Sequence, residues 1–491
     1  MPEQAFPESP GRRRGPALAV LCFVQFMLVL DDNVVSVALP SVRDDLGFGA
    51  AGLAWVTNAY FLAFGGLLLL SGRAADLLGR RRVFLGGVAL FGAASLACGL
   101  AQEPWQLVTG RFVQGAGAAL ASPAALSMVT LLFPGTGERA RALGVWGGVA
   151  ALGGTSGLVI SGVLTGLADW RWIFLVNLPV AAAAVVLVPR LVGESRAPRR
   201  ASLDVPGALL GTGAVLALVH GVLRAGESGW DDPVVGPSVL LAAALAAAFA
   251  AVEARAPEPL VPRGFLAHRT RAVAGAATLL FSAAMYAMAF LLMVHLQSVV
   301  GYGPLEAGFA YLPYGAGILA GMGASSRAVA RFGARPALAV SFLIGAAGML
   351  LLSGIGPGDG YATGVLPGML VMSVGCGLSL PALTVAALTG TTQDDAGLGS
   401  AVLGSVQQLG GAMGVAALVT AAAWREDATG TAGAAPPRAA TDGFSLALTI
   451  AAGVLVAGAV LIATLLRTPA GAESSDPAPP PDPADPEGVR T

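Results

Sequence analysis

Apolar runs long enough to cross a lipid bilayer recur along the whole chain. A helix of roughly 17 to 25 residues crosses the ~30 Å hydrocarbon core of a membrane. Inside hydrocarbon the backbone must satisfy its own hydrogen bonds, and runs of this length are far too long for the strands of a barrel. The sequence therefore predicts an all-α membrane protein with fourteen transmembrane helices. The predicted spans are 16–40, 52–72, 83–101, 104–132, 141–166, 171–189, 205–223, 234–252, 272–298, 305–326, 336–356, 363–390, 398–423 and 444–466.

The composition agrees with a chain whose solvent is the lipid bilayer. Of 491 residues, 55% are hydrophobic and only 12% are charged, whereas a soluble domain carries about 25% charged residues. The net charge of −1 gives no basis for binding nucleic acid. All 28 basic residues are arginine, so ATP hydrolysis through a P-loop, which needs a lysine, is excluded. We expect neither nucleic acid nor ATP as a partner.

The arginines also predict how the chain is oriented in the membrane. If the N-terminus is cytoplasmic, 22 of the 28 arginines fall in cytoplasmic segments and five in outer loops, while Arg111 lies within a span. The positive-inside rule then predicts that both termini are cytoplasmic. The first span is too long for a signal-peptide core and carries two aspartates, so we expect it to be retained. The abundant glycine and alanine suggest a GC-rich bacterial genome, and we expect a multi-pass protein of the bacterial cytoplasmic membrane.

Two linkers divide the chain into two six-helix halves and an inserted pair of helices. Aligning Gly79 with Gly333 also aligns Arg81 with Arg335, which is a weak internal repeat between the halves. Paired halves around a central site are the usual plan of secondary transporters. We also expect disorder in the outer loop 424–443 because it is rich in alanine, glycine and acidic residues. The predicted boundaries are a cytoplasmic N-terminus 1–15, a six-helix bundle 16–189, a linker 190–204, a helical hairpin 205–252, a linker 253–271, a second six-helix bundle 272–466 and a disordered tail 467–491.

Four stretches of the sequence carry a resemblance to a known family. They are LDDNVVSVALP at 30–40, the loop 72–82 with a Gly-x-x-x-Asp-x-x-Gly-Arg-Arg pattern, RFVQGAG at 111–117 and DWRWIFLVNLP at 169–179. With these stretches in this order, the chain resembles the major facilitator superfamily, in its fourteen-helix branch of drug:proton antiporters. The resemblance implies two six-helix bundles plus two inserted helices. It also implies proton-coupled efflux of small hydrophobic or amphipathic compounds such as antibiotics.

The fifth predicted helix departs from the pattern of that branch. The family's Gly-Pro pair followed by Gly-Gly corresponds here to 157–162, where Leu158 replaces the proline and Ser161 replaces one glycine. The small-residue spacing that permits close helix packing is kept. The departure leaves open an alternative function, a proton-linked importer or a narrow-specificity metabolite exporter of the same fold.

Charged residues well inside a membrane span are costly and usually functional, and the first and fourth predicted helices carry such residues. Asp31 and Asp32 are in the first helix and Arg111 is in the fourth. At 1.5 Å per residue, Asp31 lies roughly 14 Å and Arg111 roughly 10 Å from the outer ends of their helices, so contact between them is geometrically reasonable. Burial favours the protonated form of a carboxyl group and a nearby guanidinium opposes it, which suits a group that loads and releases a proton. The resemblance assigns the proton to Asp31, whereas helical spacing places Asp32 on the same stripe as Gln25, and the choice stays open.

Two further groups of residues are candidates for the transport machinery. The candidate cavity residues are polar side chains within spans, namely Gln25, Asn58, Gln114, Tyr286, His295 and Gln297. Of these, His295 is either a cavity residue or a buried packing residue. The candidate packing residues are glycines at which neighbouring helices can approach closely, namely Gly115, Gly117, Gly157 and Gly162.

The loop after the second helix is a candidate cytoplasmic gate. Gly72 and Gly79 are expected to permit the tight turn, and Asp76 can accept hydrogen bonds from an arginine or a helix N-terminus. Arg80 and Arg81 either take part in this gate or act only as topology signals.

Other functional classes find little support in the sequence. Only three histidines are present and no nucleophile-elbow Gly-x-Ser-x-Gly pattern occurs, which disfavours an enzyme. The longest loop has about twenty low-complexity residues, which disfavours a receptor with a folded extramembrane domain. We therefore expect a secondary active transporter that is not an enzyme. Its partners would be a small-molecule substrate, protons and the lipid bilayer, and it would need no metal or other cofactor because the proton gradient drives it.

Overall fold

The chain folds into helices joined by short connections. The computed structural model describes residues 14–196, 204–256, 259–260, 268–356, 358–389 and 396–466, and these residues contain no strand. We number the helices of the described chain α1 to α14. The first eight are α1 (Arg14–Leu46), α2 (Ala50–Leu78), α3 (Arg80–Gly99), α4 (Pro104–Leu132), α5 (Thr136–Leu167), α6 (Trp172–Leu191), α7 (Val205–Ser228) and α8 (Val235–Arg255). The others are α9 (Arg269–Ser298), α10 (Pro304–Ala310 and Leu312–Phe332), α11 (Ala334–Ser353), α12 (Tyr361–Ala387), α13 (Ala396–Thr431) and α14 (Pro436–Leu465).

The prediction of fourteen membrane helices is confirmed. Thirteen of the described helices are long and apolar enough to cross a bilayer. The fourteenth, α10, is interrupted at Tyr311, and its second part carries Arg327 and Arg331 near its end. Its position between α9 and α11 is the one predicted for the span 305–326.

One predicted loop is largely helical, and several predicted segments lie outside the described residues. The prediction of a disordered loop at 424–443 is wrong, because α13 continues to Thr431 and α14 begins at Pro436. A proline in the first turn suits a helix start, since its missing N–H has no helical partner there. Most of the predicted N-terminus, part of each linker and the tail 467–491 lie outside the described residues.

Two glycines form the tight connections at one end of the molecule. Gly79 joins α2 to α3 with φ +109°, and Gly333 joins α10 to α11 with φ +83°. Residues with a Cβ rarely adopt such positive φ values, so glycine is required at both turns. These turns correspond to each other in the internal repeat, and we refer to their end of the molecule as the predicted cytoplasmic end.

Within each half, small residues allow the helices to pack closely. A Cβ on Gly117 of α4 would lie 2.6 Å from the backbone nitrogen of Phe91 on α3. In the second half, a Cβ on Gly321 of α10 would lie 2.5 Å from the carbonyl oxygen of Val374 on α12. Close backbone approach is how membrane helices gain packing energy where lipid offers no hydrophobic drive.

The two halves meet along α2 and α13 and between α5 and the first part of α10. On α5, Gly162 contacts Pro304 and Gly308, at the end opposite the predicted cytoplasmic end, which we call the far end. Nearer the predicted cytoplasmic end, Gly148 of α5 has no described atom within 4 Å of where its Cβ would lie. Along α5, the contact with α10 therefore lies toward the far end.

The inserted hairpin packs against one side of this arrangement. α7 contacts both α2 and α13, whereas α8 packs mainly on α7. Thr212 of α7 lies against Gly66 of α2, and Thr420 of α13 donates a hydrogen bond to the carbonyl of Val222 on α7 at 3.1 Å. The hairpin thus covers the junction of α2 and α13.

Candidate functional site

The Asp31 carboxylate is the centre of a buried polar network in the first half. Its Oδ2 accepts a hydrogen bond from Arg111 Nη1 at 2.6 Å. Its Oδ1 accepts hydrogen bonds from Gln114 Nε2 at 2.7 Å and from Asn177 Nδ2 at 2.8 Å. These four side chains come from α1, α4 and α6 and are at most 1% exposed. The network therefore joins three helices through one carboxylate.

The Arg111 guanidinium is fixed by further contacts. Its Nε donates to the carbonyl of Val56 on α2 at 3.1 Å, and its Nη1 also donates to Gln114 Oε1 at 2.7 Å. Its guanidinium carbon lies 4.3 Å from the ring centroid of Tyr60, a cation–π contact. Arg111 and Gln114 can both reach Asp31 because residues three apart share one face of a helix.

A buried charge pair of this kind is sensitive to the loss of either partner. Removing one member leaves the other charged and unpaired away from water, which costs about 3–5 kcal/mol. Arg111 Nη2 already lacks a hydrogen-bond partner among the described residues. A change in the charge of Asp31 is therefore felt directly by α4 and α6.

Asp32 faces the second half instead of this network. Its Oδ2 accepts a hydrogen bond from the Tyr286 hydroxyl of α9 at 3.3 Å. Its Oδ1 is buried and has no partner among the described residues. The Gln408 side chain of α13 faces the same carboxylate. Successive helical residues point about 100° apart, so the two aspartates of α1 serve different surroundings.

Other polar atoms near the junction of the halves are also buried without partners in the described chain. The buried atoms concerned are Gln25 Oε1, Asn58 Oδ1 and Nδ2, Ser405 Oγ and Gln408 Oε1. Gln25 lies seven residues before Asp32, on the same stripe of α1. Buried polar groups normally have a hydrogen-bond partner. These buried atoms without a partner therefore indicate a place where water or a ligand binds.

The loop between α2 and α3 is bound to the segment that follows α6. Asp76 accepts hydrogen bonds from Arg80, at 2.8 Å from Nη2 and 3.0 Å from Nε. Arg81 Nη1 donates to the carbonyl of Val192 at 3.1 Å. Both contacts lie within the first half.

Comparison with known proteins decides the family. The model of the Major Facilitator Superfamily matches residues 21–415. The chain belongs to the major facilitator superfamily. It is 40% identical over 483 residues to the puromycin resistance protein pur8 of Streptomyces alboniger, covering 96% of this chain and 95% of the relative. It is also 40% identical to the lincomycin resistance protein of Streptomyces lincolnensis, covering 83% and 84% of the two chains.

Solved structures agree with this fold. A bacterial homologue of the human lysosomal transporter Spinster, in an inward-facing and unoccupied conformation, aligns with a TM-score of 0.66. The alignment covers 93% of this chain and 97% of that one at 15% identity. Together with the family match, this establishes a multi-pass membrane transporter of the major facilitator superfamily and not an enzyme.

In this major facilitator protein, the candidate cavity residues of α9 do not share one face. Gln297 lies eleven residues, about three turns, after Tyr286, and its Nε2 donates to the carbonyl of Val37 at 2.8 Å. His295 lies nine residues after Tyr286, on the opposite face, and its ring stacks on Phe444 of α14 at 4.4 Å. Of the two interpretations of His295, the structure shows the packing contact, since its ring packs between α9 and α14.

The candidate packing glycines lie where neighbouring backbones approach closely. A Cβ on Gly115 would lie 2.5 Å from the carbonyl oxygen of Tyr60, and one on Gly157 would lie 3.1 Å from that of Leu30. Gly117 and Gly162 have similarly close neighbours, described above. The prediction that Gly72 forms the turn after α2 is wrong, since it lies inside α2 and the turn falls at Gly79.

Glu194 is a residue of this loop that the sequence reasoning missed. Its carboxylate accepts hydrogen bonds from the backbone nitrogens of Arg81 at 3.1 Å and Arg82 at 3.2 Å, at the N-terminus of α3. An anion at this position is stabilised by the helix dipole and by the free N–H groups. The available signal was an acidic residue within the arginine-rich linker 190–204.

Glu194→Gln is expected to loosen this loop and lower the transport rate a few-fold. The amide keeps the shape but loses the charge, which costs about 0.3–2 kcal/mol at a helix N-terminus. Glu138→Gln is the matched control, because the Glu138 side chain is 61% exposed at its ion pair with Arg14. Thermal unfolding in detergent and initial transport rates would measure the effect. Equal values for the two variants would contradict a role for Glu194 in holding the loop.

Proposed function

We propose that this protein exports small amphipathic compounds, such as antibiotics, in exchange for protons. Its relatives include a puromycin resistance protein, a lincomycin resistance protein and a cephamycin export protein of Amycolatopsis lactamdurans, the last also 40% identical. These names support export as the direction. With the arginine distribution, they support a bacterial cytoplasmic membrane and cytoplasmic termini.

The observation that carries the proton step is the buried network around Asp31. Protonation of that carboxylate weakens its contact with Arg111 and removes an acceptor from Gln114 and Asn177. The packing of α1 against α4 and α6 then depends on whether the proton is bound. A group that couples its charge to helix packing can exchange a proton as access alternates between the two sides of the membrane.

The proton gradient supplies enough energy for this exchange. Each net charge moved across a membrane potential of 100 mV, that is, each proton exchanged in excess of the charge on the substrate, yields about 2.3 kcal/mol. Since each 1.4 kcal/mol is a factor of ten, this sustains roughly a fiftyfold gradient of substrate. The proposal therefore needs neither ATP nor a cofactor, and its partners are protons, a small molecule and the bilayer.

Purified protein in lipid vesicles tests the proposal. Vesicles with an acidic interior receive puromycin from outside, and a trapped pH dye reports the interior pH. Exchange predicts faster puromycin entry and alkalinisation than in protein-free vesicles, which correct for passive entry of the weak base. A protonophore should abolish the difference. Entry that is faster with an alkaline interior would favour the alternative of proton-linked import, and no dependence on either gradient would contradict both functions.

A further inference from the structure

Asp32 differs from Asp31 in what it lacks. The Asp31 carboxylate accepts hydrogen bonds from three side chains of the first half. Asp32 holds one hydroxyl of the second half, from Tyr286, and its Oδ1 is buried without a partner among the described residues. Leaving a buried acceptor unfilled costs free energy, and the cost is larger for a charged group. A ligand that brings a donor to this oxygen removes that cost.

The charge balance around the two aspartates is uneven. Arg111 forms its ion pair with Asp31, and the described residues provide no ion pair for Asp32. Two of the other buried atoms without a partner in the described chain, the side-chain carbonyl oxygens of Gln25 and Gln408, are acceptors, as Asp32 Oδ1 is. Carbonyl and carboxylate oxygens accept hydrogen bonds and cannot donate them. The position therefore matches a ligand that carries several N–H donors and one positive charge.

Aromatic rings lie beside the same carboxylate. The Phe61 ring meets the Tyr286 ring edge-on, with centroids 4.7 Å apart. The Tyr60 ring already holds the Arg111 guanidinium. Tyr286 is partly buried and Phe61, only 1% exposed, packs behind it, so these two rings form the apolar side of the Asp32 carboxylate. Aromatic faces also attract ammonium groups.

We propose that Asp32 binds the protonated amine of a monocationic, amphipathic substrate between the two halves. Tyr286, with Phe61 packed behind it, contacts the apolar part of that substrate, and Gln25 and Gln408 accept further N–H groups. The proposal rests on the function proposed above, and it assigns Asp32 to substrate recognition while Asp31 exchanges the proton. Because the second half contributes Tyr286 and Gln408, the same substrate contacts both halves.

Binding measured without any gradient tests this assignment apart from the proton coupling. The probes are puromycin, which carries one free amine, and its N-acetylated derivative, which lacks that charge. At a pH where the amine of puromycin is protonated, we expect the natural protein to bind puromycin at least tenfold more tightly than the N-acetylated derivative. A hydrogen bond to a charged group is worth about that factor or more. Asp32→Asn should lose this preference, and Asp32→Glu should retain it.

Asp44→Asn is the matched control, because Asp44 is a 73% exposed acid near the end of the same helix. It should leave both affinities unchanged. Equal affinity of the natural protein for the two probes, failure to bind puromycin, or an unchanged preference in Asp32→Asn would each overturn the assignment. The first two of these outcomes are measured on the natural protein alone, so the test remains valid even if a variant misfolds. Loss of gradient-driven transport with an intact amine preference would instead contradict the proposed antiport.

Discussion

Asp31→Asn is expected to abolish proton-driven export while the protein still inserts into the membrane. An amide does not titrate, so the exchange of a proton at this position is lost. The variant also leaves the buried Arg111 without its anionic partner, which costs about 3–5 kcal/mol of stability. In the vesicle assay, the dependence of puromycin movement on the pH gradient should fall at least tenfold, toward that of protein-free vesicles.

A second variant separates coupling from folding. Asp31→Asn combined with Arg111→Gln removes both buried charges, so that neither is left unpaired away from water. We expect this double variant to recover much of the thermal stability but none of the gradient dependence. Full gradient-driven export by Asp31→Asn would remove Asp31 from the proposed mechanism.

Gly162→Val is expected to prevent the two halves from closing at the far end. A Cβ on Gly162 would lie 2.7 Å from the carbonyl oxygen of Pro304 and 3.2 Å from the Cα of Gly308. Both are backbone atoms of α10 and cannot rotate aside, as a flexible side chain could. Since alternating access needs closure at each end in turn, the export rate should fall at least tenfold.

Gly148→Val is the control for this substitution. It introduces the same β-branched residue into the same helix, at a position where a Cβ would have no described atom within 4 Å apart from its chain neighbours and the backbone of its own helix. A cysteine at Gln297, whose amide contacts Val37 between the halves, reports closure through its reaction with an impermeant maleimide. The three native cysteines are buried. Faster labelling in Gly162→Val than in Gly148→Val is expected, and equal labelling with unchanged export would contradict the prediction.

The transmembrane helices and the contact between Asp31 and Arg111 could be predicted from the sequence, because both follow from helix geometry. Apolar length alone located the fourteen spans, and the fixed rise of a helix placed Asp31 and Arg111 at similar depth. The missed end of α13 has a physical cause: residues 424–431 are polar enough to leave the bilayer but still continue the helix. Hydropathy reports the solvent of a segment and not where its helix ends.

The rest of the site depends on tertiary contacts that local patterns do not encode. Asn177 meets Asp31 across 146 residues, and Glu194 meets Arg81 across 113 residues. The position of His295 was different, since its offset of nine residues from Tyr286 already places it on the other face of α9. That assignment could have been made from the helical period alone.

The inserted hairpin changes how the two sides of the molecule can behave. α7 touches α2 of one half and α13 of the other, and the contacts run from Thr212 to Val222 along α7. A lipid tail that arrives on this flank meets an extra helix instead of the groove between the bundles. The opposite flank, along α5, has no such cover from α7 or α8 in the described chain. Two flanks that the internal repeat would make equivalent are therefore unequal, and a compound dissolved in the membrane finds only one of them uncovered.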